Sequence, residues 1–250
     1  MPDYFTKILD DFDAIVFFDT ETSGLEPLEH QIIELAAIRV VRTETGALRI
    51  EDKMDDFIRL PEGEQLRPEI TELTHITDAM LQEEGKDPAE VAARFHQLIE
   101  GTGTKRRVLL AAHNAQFDLL FTRQLLKGHR LGVELKFLDT LTVYKDRAAY
   151  PHKLEAAIRH YKLESKVQNS HRAIDDVCAL LEVTKAMDEE RDDLSTYINV
   201  FGYNPKYGTS GEKIAGITYH AQDFTKFKRP EHMTLPALIS KEDRRKAWEL

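Results

Sequence analysis

The chain has 250 residues, 42% hydrophobic and 31% charged, which suits one globular domain with a sizeable core and excludes a disordered, coiled-coil or collagen-like chain. A single cysteine, Cys178, excludes an internal disulfide, no Cys/His spacing suits zinc, and the lack of a membrane-length apolar run or signal-like N-terminus leads us to expect a cytoplasmic chain with no membrane contact. The net charge of −10, from 34 basic and 44 acidic side chains, by itself argues against a polyanionic partner, yet it is unevenly spread: from Thr196 onward nine basic residues outnumber six acidic ones.

Ala14-Ile15-Val16-Phe17-Phe18 is a continuous run of apolar β formers and predicts a central strand buried on both faces, ending in Asp19. Ile32 to Val41 and Ala47 to Leu60 predict two more strands, joined through Thr45-Gly46, so the first three strands form an antiparallel meander. Helices are expected to begin at Asp87-Pro88-Ala89-Glu90, where an Asp cap, a Pro at the first helical position and Glu90 make a capping box. Val108 to Ala112 predicts a second buried strand, followed by a helix from Ala115 to Lys127 with Asn114 as its cap and Gly128 as its stop. Leu135 to Leu138 gives a fifth strand, and helices follow near Lys153 to Tyr161 and His171 to Glu190. The order βββαβαβαα predicts an α/β domain over residues 1–195 with a mixed five-stranded sheet. From 196 to 250, Gly202, Gly208, Gly211 and Gly216 punctuate a compact C-terminal extension with no role of its own legible in the sequence.

Several acids stand where cores are expected. Asp19 and Glu21, two apart at a strand end, project from one face, at the place where α/β sheets bind ligands. Drawn at about 100° per residue, the helix after Asn114 puts Asp118 at the centre of an apolar arc with Phe117, Leu119, Phe121, Thr122, Leu125 and Leu126, and sets Gln116, Arg123, Gln124 and Lys127 opposite. A carboxylate so placed is protonated, paired, facing a metal, or capping a neighbouring turn. The same wheel separates Asp176, among Leu180, Val183 and Met187, from the solvent-side Asp175, which shares its arc with Glu182, Lys185 and Glu189. His171 lies five residues before Asp176, and a lone histidine is usually a surface or satisfied core group. Four inward carboxylates in one pocket repel unless cations sit between them; two divalent ions would balance them, and all-oxygen ligands point to Mg²⁺ or Mn²⁺. Such ion pairs serve phosphoryl displacement, which suggests a phosphodiesterase or nuclease.

At this point three segments carry a resemblance. Phe18-Asp19-Thr20-Glu21-Thr22-Ser23-Gly24, His113-Asn114-Ala115-Gln116-Phe117-Asp118 and His171-Arg172-Ala173-Ile174-Asp175-Asp176 resemble, in order, the three motifs of the DEDDh, or DnaQ-like, 3′→5′ exonucleases, and Glu72-Leu73-Thr74-His75-Ile76-Thr77 is similar to their connecting region. The likeness runs from Asp13 to Asp188 and is nearest to the epsilon-like proofreading exonucleases of bacterial replicative polymerases; Ser23 stands where Thr is more frequent. It implies an RNase H-like fold, Asp19, Glu21 and Asp176 around one metal, Asp19 and Asp118 around a second, and His171 as general base. It also implies a 3′ terminus of single-stranded or frayed DNA as substrate, contacted around Thr22, Gly24 and Leu25, release of 5′-mononucleotides, and a DNA polymerase as a protein partner. Phe117 either stacks on a base or packs in the core, and His113 and Asn114 orient the Asp118 helix. RNA in place of DNA, or a weakly active nucleic-acid-binding polymerase subunit, are the rival readings.

Elsewhere, Lys105-Arg106-Arg107 reads as a solvated loop or a phosphate contact, and Cys178, on an arc with Ile174 and Leu181, as a small core residue. Gln222-Asp223-Phe224-Thr225-Lys226-Phe227 loosely resembles a sliding-clamp-binding peptide, against simple packing of the extension on the core.

Overall fold

The apolar run ending at Asp19 becomes strand β1, Ala14–Thr22, in a computed structural model that describes residues 3–167, 172–209 and 211–222. β1 pairs antiparallel with β2 (Ile32–Arg42), which pairs antiparallel with β3 (Leu48–Phe57), while β4 (Arg107–Ala112) and β5 (Glu134–Asp139) add parallel strands on the other side. The order β3-β2-β1-β4-β5 is the mixed five-stranded sheet expected from the sequence, meander included.

Because side chains alternate along a strand, β1 feeds two cores. Ile15 and Phe17 point to one face, where they meet Val177, Leu180 and Met187 of the helix Ala173–Glu190. Val16 and Phe18 point to the other, against Val91, Phe95 and Leu98 of the helix Pro88–Glu100 and Leu119 and Phe121 of the helix Ala115–Leu125. Phe17 and Phe18 are both 0% exposed, and each stabilises the sheet by about 1.5–3 kcal/mol through burial alone. The alternation also decides the site: Asp19 and Glu21 continue the first face, Thr20 and Thr22 the second.

The helices are more numerous than the periodicity suggests. In chain order they are α1 (Thr6–Asp11), α2 (Pro68–Thr74), α3 (Asp78–Glu83), α4 (Pro88–Glu100), α5 (Ala115–Leu125), α6 (Thr140–Lys145), α7 (Leu154–His160) and α8 (Ala173–Glu190). Helices therefore begin well before Asp87. The unforeseen ones, α1, α2, α3 and α6, have six or seven residues, too few to show a 3.6-residue repeat, and are held by tertiary packing of residues such as Ile8, Leu9 and Leu81. At α4 the Asp87 carboxylate accepts from Ala89 N at 2.8 Å, one residue short of the Glu90 amide that a capping box uses. α5 ends at Leu125 rather than Lys127.

The extension is built onto the sheet edge. A 3₁₀ turn, Leu194–Tyr197, leads to β6 (Val200–Tyr203), which pairs in parallel with β7 (Thr218–Ala221). Asn199 fastens this unit to the edge strand β5, its amide donating to Phe137 O at 2.8 Å and its side-chain oxygen accepting from Phe137 N at 2.9 Å. Phe201 and Ile214 join the α4/α5 core. Among the described residues no helix is long and apolar enough to cross a membrane.

Candidate active site

Four predicted acids converge at the C-terminal end of β1. Asp19, Glu21 and Asp176 present carboxylate oxygens that all lie within 4.8 Å of one another. Asp19 and Glu21 reach this point from the strand face that meets α8, and Asp176 comes from the first turn of α8, buried at 7% exposure where Asp175 is half-exposed. The helical wheel thus separated the adjacent acids correctly.

Asp118 is also buried, but it arrives from the opposite side of β1. One of its oxygens accepts from the Thr20 hydroxyl at 2.7 Å and the Thr20 amide at 3.2 Å. Thr20 faces α5 because it lies one residue out of phase with Asp19, and its two donors hold the carboxylate beside the cluster. Thr22, by contrast, tightens the turn beyond the strand, its hydroxyl donating to Gly24 O at 2.7 Å. At Gly24 a Cβ would lie 2.2 Å from the imidazole of His30, so a larger residue there would have to displace that side chain. Leu25 and Asn114 are exposed at the rim, while Phe117 is half-buried with its ring 4.9 Å from that of Phe121, the core packing that its place beside Asp118 suggests.

The carboxylates repel one another. Burial, and then the charge of Glu34, push Asp19 up to about 7. Burial followed by the charges of Asp19, Asp176, Glu34 and Asp118 push Glu21 up to about 9. Asp118 is raised well above the carboxylate range by burial and Asp19, against the lowering effect of its Thr20 hydrogen bonds. The donor set is all oxygen and holds more negative charge than its surroundings neutralise, which is what a site for divalent cations requires.

One member of this arrangement escaped the sequence reading. Glu34 lies directly opposite Glu21 in the β1/β2 register and is 0% exposed. It accepts from Arg172 Nε and Nη2 at 2.9 and 2.7 Å with one oxygen and from Ala173 N at 3.0 Å with the other, so it ties the start of α8 to the sheet. The Arg172 guanidinium also lies over the Phe57 ring, 4.9 Å from its centroid. The signal was present, since Glu34 interrupts the run Ile32-Ile33-Glu34-Leu35-Ala36-Ala37 as Asp118 interrupts its helical arc. His171 lies outside the described residues.

Other expectations need correction. Asn114 stands at the cap position of α5 but in a left-handed conformation, and its side chain makes no cap. Asp139, at the end of β5, caps from a distance, accepting from Asn114 N and Ala115 N at 3.0 and 3.1 Å. Both ring nitrogens of His113 are engaged, Nε2 with His152 O at 2.8 Å and Nδ1 with the Thr140 hydroxyl at 3.0 Å, and burial holds the ring below the usual imidazole range. Gln116, expected on the solvent side, is buried beneath the extension. Cys178 is exposed, not in the core, because it falls between Asp175 and Glu182 on the arc of solvated acids. Lys105 and Arg106, by contrast, are exposed in the loop before β4, the solvated setting expected of them, and with Arg107 they pair within the chain, with Leu9 O and Phe12 O, with Glu100 and with Glu134 respectively. Gln222 is 3% exposed with its side-chain amide turned inward to Thr142 O, so it is not presented to a clamp, and 223–227 lie outside the described residues.

A mixed sheet with carboxylates gathered at the end of its central strand is the architecture of a nuclease of the RNase H-like fold. Residues 16–184 match the family described as Exonuclease (RNase_T), and the chain belongs to it, as a DnaQ-like member. It is 34% identical over 172 residues to a DNA polymerase III subunit epsilon-like protein of Rhodobacter capsulatus, covering 68% of this chain and 23% of that one. Over 179 residues it is 29% identical to the DNA polymerase III subunit epsilon of Treponema pallidum, covering 70% and 76%. The fold is similar to that of Escherichia coli Exonuclease I crystallised with a dT13 oligonucleotide, with a TM-score of 0.61 at 20% identity over 74% of this chain and 43% of that one. The chain spans only 11% and 23% of the length of the first two curated relatives it matches, a DNA polymerase III PolC-type of Caldanaerobacter subterraneus and the Rhodobacter protein.

Proposed function

We propose that this chain is a divalent-metal-dependent 3′→5′ exonuclease that removes 5′-mononucleotides from the 3′ end of single-stranded or frayed DNA. The observation that carries the reading is the convergence of Asp19, Glu21 and Asp176 within 4.8 Å, with burial pushing the first two up to about 7 and 9. Carboxylates that cannot all ionise together are suited to cations.

In this reading Asp19, Glu21 and Asp176 hold one ion and Asp19 and Asp118 a second, and Mg²⁺ or Mn²⁺ fits a site of hard oxygens alone. Bound ions supply Lewis acidity and offset the charge that builds on the phosphate during displacement. The remaining work belongs to the chain. Thr20 orients Asp118, and Glu34 with Arg172 fixes the start of α8 on which Asp176 rides. His171, the residue before Arg172, is assigned as the base that takes the proton of the attacking water, a contribution of about 10²–10⁴ in rate. The rim of Thr22, Gly24, Leu25 and Asn114 receives the terminal nucleotide, with Phe117 packed behind it and His113 holding the segment at His152. Relatives named as DNA polymerase III subunits support a polymerase as protein partner.

The test is a 5′-labelled oligonucleotide, offered as DNA and as RNA with matched sequence, single-stranded and with a mispaired 3′ end, at fixed salt. The proposal expects a ladder shortening from the 3′ end of DNA, fastest where the end is unpaired. Internal cleavage products, or a preference for RNA, contradict it.

A further inference from the structure

The segment after Ser195 lies beyond the part of the chain that matches the family, yet its hydrogen bonds run to the helix that carries Asp118. Two routes reach that helix. In the first, Gly202 N in β6 donates to the Thr142 hydroxyl at 2.7 Å. Because that oxygen is accepting, its own proton goes to Asp139 Oδ2, at 2.5 Å. The other oxygen of Asp139 accepts from Asn114 N and Ala115 N, the first amides of α5. Gln222 closes this route from the far end of β7, its side-chain amide donating to Thr142 O at 2.8 Å and Asp146 Oδ1 at 3.1 Å. Gly202 permits the closure, since a Cβ there would sit 1.8 Å from Gln222 Oε1.

In the second route, the Tyr219 hydroxyl accepts from Ile214 N at 2.8 Å and therefore donates to Gln116 Oε1, at 2.7 Å. The Gln116 amide in turn donates to Glu212 O at 2.5 Å. Gln116 is 7% exposed and stands two residues before Asp118. Thr142 is 1% exposed and Asp139 4% exposed, so the first route runs through protein rather than water.

We infer that the described residues after Ser195 are a positioning element of the active site, in which Gly202 and Gln222, acting through Thr142 of α6, and Tyr219, acting through Gln116, fix the first turn of α5 and with it the Asp118 carboxylate. The inference rests on the nuclease reading for its catalytic consequence, but the positioning is measurable without turnover. Thr142→Val keeps the side-chain shape and removes both the acceptor for Gly202 and the donor to Asp139. Thr142→Ser restores both. Tyr219→Phe deletes one oxygen at the periphery and serves as the second variant should Thr142→Val fail to fold.

The full chain and each variant are compared in three measurements: kcat and KM on single-stranded DNA, Mn²⁺ affinity by electron paramagnetic resonance, and hydrogen exchange of the Asn114 and Ala115 amides. Loss of a hydrogen-bonding partner directly behind a metal ligand lowers affinity or activity about 10–100-fold; Thr142 acts further back, through Asp139 and the start of α5, so Thr142→Val is expected at the low end, about 10-fold in kcat and in Mn²⁺ affinity, with KM for DNA unchanged. The two amides exchange faster in Thr142→Val, Thr142→Ser returns all three readouts, and Tyr219→Phe gives a smaller loss in the same direction. A variant whose only change is a lower melting temperature, with kcat, Mn²⁺ affinity and exchange as in the parent, overturns the inference. A parent chain that binds Mn²⁺ but does not degrade DNA defeats the nuclease reading instead, and the Mn²⁺ and exchange comparisons still decide whether the extension positions Asp118.

Discussion

Replacing Glu21 by Gln is expected to stabilise the metal-free protein at neutral pH while destroying its activity. Glu21 is raised from 4.5 to about 9 in the native state, first by burial and then by Asp19, Asp176, Glu34 and Asp118. The unfolded chain releases this proton as the pH passes 4.5, whereas the native chain keeps it until about 9. Between those values the native state holds more protons than the unfolded state, so its stability falls as the pH rises. At about 1.4 kcal/mol per pH unit, Glu21 costs the metal-free native state about 3 kcal/mol at pH 7. Glutamine keeps the shape and does not titrate. Thermal unfolding in excess chelator should therefore place Glu21→Gln about 6–12 °C above the parent at pH 7, and the gap should close toward pH 4.5. Adding Mn²⁺ should reverse the order, because the parent gains binding energy that the variant lacks. A variant melting at or below the parent at pH 7 in chelator, or a gap that does not vary with pH, would refute the electrostatic account of the site.

Two further predictions follow from the same geometry, and a third from the motif that contains His171. Asp176→Asn should reduce nuclease activity far more than Asp175→Asn, since only Asp176 belongs to the cluster; equal losses in a single-turnover assay would contradict this. Arg172→Gln leaves Glu34 buried without its charged partner and should lower stability by about 3–5 kcal/mol in chemical denaturation, an unchanged midpoint being the contrary result. His171→Ala should lower kcat about 10²–10⁴-fold and remove the limb of the pH–rate profile near its own titration; an unaltered rate and profile would rule out the base assignment.

The features legible in the sequence were those written in long periodic elements. β1 declared itself by being apolar on both faces, and α8, at 18 residues, was long enough for the wheel to tell Asp176 from Asp175. The net charge of −10 misled as an average, because several of the acids that compose it are gathered in one pocket. What stayed hidden was tertiary. A wheel shows which residues share an arc, but not what covers the opposite one, and Gln116 is covered by Glu212 and Tyr219 from about a hundred positions away. The α5 cap is likewise supplied across the fold, by Asp139 in place of the adjacent Asn114. Glu34 was missed although the rule that singled out Asp118 applies to it equally, an acid inside an apolar run.

The most direct measurement is the product released from a 3′-end-labelled single-stranded DNA by the parent chain and by Asp19→Asn, with Mn²⁺ and with excess chelator. The account predicts labelled 5′-mononucleotide as the first product of the parent in Mn²⁺, and none from Asp19→Asn or in chelator. Equal release by the parent in chelator, or by Asp19→Asn, would contradict it.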